Sequence, residues 1–108
     1  MPPRRPDIVD LEWDANNVGH VEQHIAPWLI DEMLEGGRWL SFRNYKGHPP
    51  EHRLFIGQTP SGQHITAVLR EPTWENPGVW RPITGWLSTE SERAKFRDAW
   101  QRTRRRHG

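Results

Sequence analysis

Glu51 and Arg53 stand two residues apart in EHRLFIGQT, a segment that reads as a strand, so their side chains share one face. With Arg70, Arg81 and the arginines near the C-terminus they make a set suited to RNA cleavage without a metal. That reaction needs a base for the 2′-OH proton, an acid for the leaving 5′ oxygen and cations for the charge on phosphorus. Glu51 or a histidine suits the base, and the arginines suit the clamp. The same Glu51 and Arg53 equally describe an ordinary surface ion pair.

A second constellation is His20-Val21-Glu22-Gln23-His24. Two histidines one helical turn apart suggest zinc, but the metalloprotease pattern places glutamate directly after the first histidine. Here Glu22 comes two after it, and a third ligand would have to come from His48, His52, His64 or a distant carboxylate. A polar helix-face role for His20 and His24, on the edge that meets the sheet, is therefore expected, with no metal and no cofactor. No phosphate-binding loop, nucleophile elbow or dinucleotide fingerprint is present. The absence of cysteine excludes disulfides and thiolate chemistry.

The elements that must position these groups follow from the pattern. Residues 1–7, with three prolines and two arginines, read as a loose arm without the apolar run of a signal peptide. Ile8 to Trp13 reads as a strand. Asp14 is a natural N-cap for a helix over 15–23, with Val18, Val21 and Ile25 as its apolar stripe. Pro27 opens a second helix, Trp28 to Leu34, burying Trp28, Leu29, Met33 and Leu34 with Asp31, Glu32 and Glu35 in solvent. Strands follow at 38–45, 51–59, 63–70 and 79–86. Trp39 and Phe42 break strict alternation in the first of these and suggest a bulge, while Pro82 demands an edge or a bulge in the last. Thr89 with Glu92 supplies a capping box for a helix to about Arg102, leaving 103–108 as a basic tail. One domain over 8–102 is expected, of the α+β class: an N-terminal strand and two helices, then an antiparallel sheet of about four strands and a C-terminal helix. The core is small: 33% of residues are apolar, but seven tryptophans add large buried surfaces.

The net charge of +1 conceals a segregation. Asp7 to Glu35 holds eight acids and no lysine or arginine; Arg38 to Arg70 holds five bases against Glu51 alone. The later segments therefore suggest a surface for a polyanion, with Arg43, Lys46 and Arg81 as RNA contacts. No apolar run is long enough to span a membrane, and a cytoplasmic location is expected.

Taken in order, Trp13-Asp14 before a helix, Glu51-His52-Arg53 before a strand with Gly57-Gln58-Thr59, then Ile83-Thr84-Gly85-Trp86 and Ser88 to Arg93, resemble the BrnT-type toxins over about residues 8–100. The sequence departs from that family at Gln58 and Trp86, where the family carries arginine. The resemblance implies a RelE-like ribonuclease of a type II toxin-antitoxin system. Glu51, Arg53, Arg70 and Trp13 are then the catalytic candidates. The implied partners are a cognate ribbon-helix-helix antitoxin, an RNA substrate and, as an option, a second copy of the chain. A catalytically inactive relative that binds protein or RNA is the alternative, and a zinc hydrolase the third reading.

Overall fold

The computed structural model describes residues 6–43 and 47–107, with side chains as far as 104. Among these the elements are β1 (Asp10–Leu11), α1 (Ala15–Glu22), α2 (Trp28–Gly36), β2 (Arg38–Phe42), β3 (His52–Gln58), β4 (His64–Arg70), β5 (Val79–Leu87) and α3 (Glu90–His107). The strands form one sheet in the order β1-β5-β4-β3-β2. Four neighbouring strands are antiparallel, and β1 is added parallel to β5 through Asp10↔Val79 and Leu11↔Trp80. The α+β class is as expected, but the N-terminal strand is two residues long and belongs to the same sheet.

Both faces of the sheet are covered. On one, Phe55, Ala67, Leu69 and Trp39 pack with Val21, Ile25, Leu29, Ile30 and Met33 of the α1–α2 segment. On the other, Leu40, Leu54, Ile56 and Val68 pack with Phe96 and Ala99 of α3. Hence LFI in β3 and ITAVL in β4 are buried without alternation, as befits strands covered on both sides. The same two-sided burial removes the expected bulge in β2. Trp39 faces the α1–α2 core and Phe42 the α3 core, and the pairing runs regularly from Arg38↔Gln58 to Phe42↔Leu54. The β2 backbone comes so close to β3 here that a Cβ at Gly57 would strike the Arg38 carbonyl and the Cα and Cβ of Trp39. Asn44 and Tyr45, expected at the end of β2, lie outside the described residues.

The irregularity falls instead at Pro82. The register shifts between Val68↔Thr84 and Leu69↔Pro82, so Ile83 is the extra residue of a bulge in β5. The Pro82 carbonyl accepts from Asn17 Nδ2 at 3.0 Å, and Glu12 O accepts from the same amide at 2.8 Å. Asn17 also closes the capping box of α1: Asp14 Oδ1 accepts from Asn17 N at 3.0 Å, and Asn17 Oδ1 accepts from Asp14 N at 2.8 Å. The expected box at the start of α3 is present too, with Glu92 N donating to Thr89 Oγ1 and Thr89 N donating to Glu92 Oε1. Past Arg102 the helix continues, so the stretch expected as a tail is helical through His107.

Three burial expectations are corrected. Trp28 is 62% exposed, because Leu29, Ile30 and Met33 set the inward face of α2 and Trp28 lies on the side of Glu32. Asp31 is half-buried rather than solvated: Trp13 Nε1 donates to its Oδ1 at 3.2 Å. Burial pushes the Asp31 carboxyl up, and Glu35 and Asp10 add to this. His20 and His24 are both exposed, their ring centroids 6.1 Å apart, because Val21 alone carries the buried apolar face of α1 and His24 follows its end.

Candidate functional site

β2 ends, β3 begins, β4 ends and β5 begins at one end of the sheet, so the loops after β2 and after β4 lie side by side. Glu71 N donates to Glu51 O at 2.8 Å and ties them together. Between β2 and β3 the sequence Pro49-Pro50-Glu51-His52 closes a turn through His52 N donating to Pro49 O at 2.9 Å. Proline at its second position presets the backbone angle such a turn needs. This turn places His48 and His52 across from one another, Nδ1 to Nδ1 at 3.2 Å. With Arg43, Arg53 and Glu71 they line a cleft of about 510 Å³.

A contact of 3.2 Å between two Nδ1 atoms requires one ring to donate and the other to accept. The pair therefore shares one proton at this contact, and the second ring nitrogen of each imidazole is its Nε2. Burial holds the His52 imidazole below the usual histidine range; the charges of His48 and Arg70 act the same way, and Glu51 opposes them. His52 is thus a neutral imidazole at pH 7, the form that accepts a proton.

Arg53 is the cation beside this pair. Its side chain is largely buried at 17% exposure; Nη2 donates to Ser41 Oγ at 3.3 Å, and Nη1 stands 3.8 Å from Glu71 Oε1. Its Nε is buried with no hydrogen-bond partner among the described residues, as is that of Arg70. Arg70 is directly opposite His52 in the β3–β4 ladder and lies 3.6 Å from Glu12. Arg43 is exposed at the cleft rim.

Of the residues expected from sequence, Glu51, Arg53, Arg70 and Arg43 thus gather at this end of the sheet. Glu51 is exposed, and its shared face with Arg53 gives no ion pair: the carboxylate near Arg53 is that of Glu71. Arg81 lies across from Arg70, but its guanidinium is held by Asp14 at 2.8 Å and Glu12 at 3.3 Å. The Asp14 hydrogen bond raises Arg81 and lowers Asp14. Trp13 stands at the far edge with β1, its indole N–H engaged by Asp31. Lys46 lies outside the described residues. The histidine pair and Glu71 are what sequence reasoning missed as a site. The available signal was the spacing of His48 and His52 around two prolines, which a turn converts into contact.

Gln58 ends β3 and Trp86 is the last residue but one of β5, both at the opposite end of the sheet, where Trp86 Nε1 donates to Glu92 Oε1 at 2.9 Å. Among the described residues no group of three or more histidines and carboxylates could hold a metal ion. No helix described is long and apolar enough to cross a membrane. No family model matches the chain, and neither a curated protein nor a solved structure matches it.

Proposed function

We propose that the chain is a metal-independent endoribonuclease of the toxin type, cleaving RNA by attack of a 2′-OH on the adjacent phosphate. The observation that carries this is the contact of His48 and His52 through Nδ1 in a cleft lined by Arg43 and Arg53. His52, donating its Nδ1–H to His48, presents an Nε2 lone pair and takes the 2′-OH proton there. The Nδ1 proton then passes to His48, and His48 gives its Nε2–H to the departing 5′ oxygen. The 2′ oxygen–phosphorus bond forms, the phosphorus–5′ oxygen bond breaks, and the products are a 2′,3′-cyclic phosphate and a 5′-hydroxyl end. Arg53 and Arg43 offset the charge that grows on the phosphate oxygens. Arg70 and Glu51 tune His52 from opposite directions.

This reading keeps Arg53 from the sequence expectation, takes the histidine option for the base as His52 in place of Glu51, and gives Trp13 a packing role. Gln58 and Trp86 stand away from the cleft, so arginine is not required at either position for this chemistry. A RelE-like type II toxin in the cytoplasm, restrained by a ribbon-helix-helix antitoxin, is the biological setting we propose. The five bases between Arg38 and Arg70, against the single acid Glu51, are compatible with a polyanionic substrate. The test is direct. Purified protein should degrade RNA with EDTA present, and Arg53→Ala should abolish this while the near-UV spectrum of the tryptophans stays unchanged. Intact RNA and normal growth on expression of the wild-type chain would remove the toxin reading. A neighbouring reading frame for a small ribbon-helix-helix protein would support it.

A further inference from the structure

Trp74 is 88% exposed, in a chain that otherwise uses Trp39 and Trp80 at 3% exposure to build its core. Its loop is well held: Asn76 N donates to Thr73 O at 3.1 Å, Val79 N to Asn76 O at 3.2 Å, and Val9 N to Gly78 O at 2.8 Å. Gly78 takes φ +80° to turn the chain into β5, close against Val9. A large indole is thus presented on a fixed support, which keeps the ordering cost of any contact low. The loop leaves β4 at the cleft end of the sheet, and Glu71 lines the cleft itself. Three peptide steps of about 3.8 Å put the Trp74 Cα within roughly 11 Å of the Glu71 Cα. Stacked nucleotides follow one another every ~3.4 Å, so a base two or three positions from the scissile phosphate falls in reach.

We infer that Trp74 is a stacking platform for an unpaired base flanking the cleft, which makes single-stranded RNA the substrate class. The inference rests on the ribonuclease reading of the cleft for its choice of ligand. A stacked base needs a bare π-face, which single strands offer and base-paired duplexes withhold. Glu75, exposed and next in sequence to Trp74, disfavours phosphate there, so the contact offered is with the base, while Arg43 and Arg53 take the backbone. Trp28, the other exposed tryptophan among the described residues, shares α2 with the acids Asp31, Glu32 and Glu35, which repel phosphate.

The experiment separates binding from cleavage. A labelled single strand carrying 2′-O-methyl groups, which has no nucleophile, is titrated with wild type, Trp74→Ala and Trp74→Phe, and a duplex of the same sequence is titrated in parallel. Trp74→Ala should weaken single-strand binding by about five- to a hundredfold, Trp74→Phe should restore most of it, and duplex binding should be weak and unchanged. Equal single-strand affinity in wild type and Trp74→Ala, or preference for the duplex, overturns the inference even where wild type cleaves RNA. Trp74-dependent binding by a protein that cuts no unmodified RNA upholds it and overturns the ribonuclease reading instead. Because Trp74 is exposed, all three proteins should melt together; a shifted Trp74→Ala melt would show a packing role and count against the inference.

Discussion

Replacing His48 and His52 with alanine, singly and together, gives a cycle that tests whether the two rings act as a unit. A positioned acid or base contributes about 10²- to 10⁴-fold in rate. Two rings acting independently would therefore cost about 10⁴- to 10⁸-fold when both are removed. The 3.2 Å contact predicts otherwise, since the proton taken by His52 leaves through His48 and neither ring serves without the other. The double substitution should cost no more than the worse single one, a coupling of about 3–5 kcal/mol at 1.36 kcal/mol per tenfold. The assay is kcat/KM for a labelled single strand at low RNA concentration, with EDTA, across pH 5–8. His52 must be neutral to accept the proton, and its imidazole lies below the ordinary value near 6.5. Activity should accordingly hold at pH 7 and fall on acidification with a midpoint below about 6.5. Multiplicative losses in the double variant, or an acid limb centred above that value, would refute the relay.

Two further outcomes follow from the clamp between the N-terminal segment and β5. Asn17→Ala removes three hydrogen bonds, to Glu12 O, Pro82 O and from Asp14 N, at about 1 kcal/mol each. Thermal unfolding should therefore drop by more than about 10 °C, and a loss below about 1 kcal/mol would mean water replaces those bonds. Asp14→Asn keeps the helix cap, since both residues cap well, but removes the charge facing Arg81. The Asp14 carboxyl is lowered by folding, so its contribution is present above its unfolded value near 3.9 and lost as pH falls through the folded value. Urea midpoints measured at pH 7 and pH 3 should differ more for wild type than for Asp14→Asn, and equal differences would count against the pair.

What the sequence made legible was local. Two of the three helix starts described, those of α1 and α3, are marked by the capping residues Asp14 and Thr89, and both caps form. The β3–β4 hairpin follows from the turn at Pro60-Ser61-Gly62, where Thr59 N donates to Gln63 O at 2.8 Å and Gly62 takes φ +100°. Pro82 announced its bulge because proline has no N–H for the ladder. What stayed hidden depends on partners distant in sequence. Nothing within Ile8 to Trp13 says that its strand pairs in parallel with residues near 80, or that Glu12 and Asp14 engage Arg81. The site shows the same division. Arginines on β3 and β4 were readable as a cationic cluster, whereas the histidine contact depends on the path of a loop.

The parallel pairing of β1 has a consequence for how the chain assembles. Residues 10–36 need β5 as their dock: Leu11 meets Trp80, Asn17 bonds Pro82, and Ile25 and Ile30 pack near Gly85. During synthesis at about 5–20 residues per second, this first third of the chain waits several seconds for its partner to leave the ribosome. The β2–β4 meander, which carries most of the cleft, has only neighbours in sequence to find and forms earlier. The eight acids and absent bases of Asp7 to Glu35 keep the waiting segment apart from its own copies through mutual repulsion.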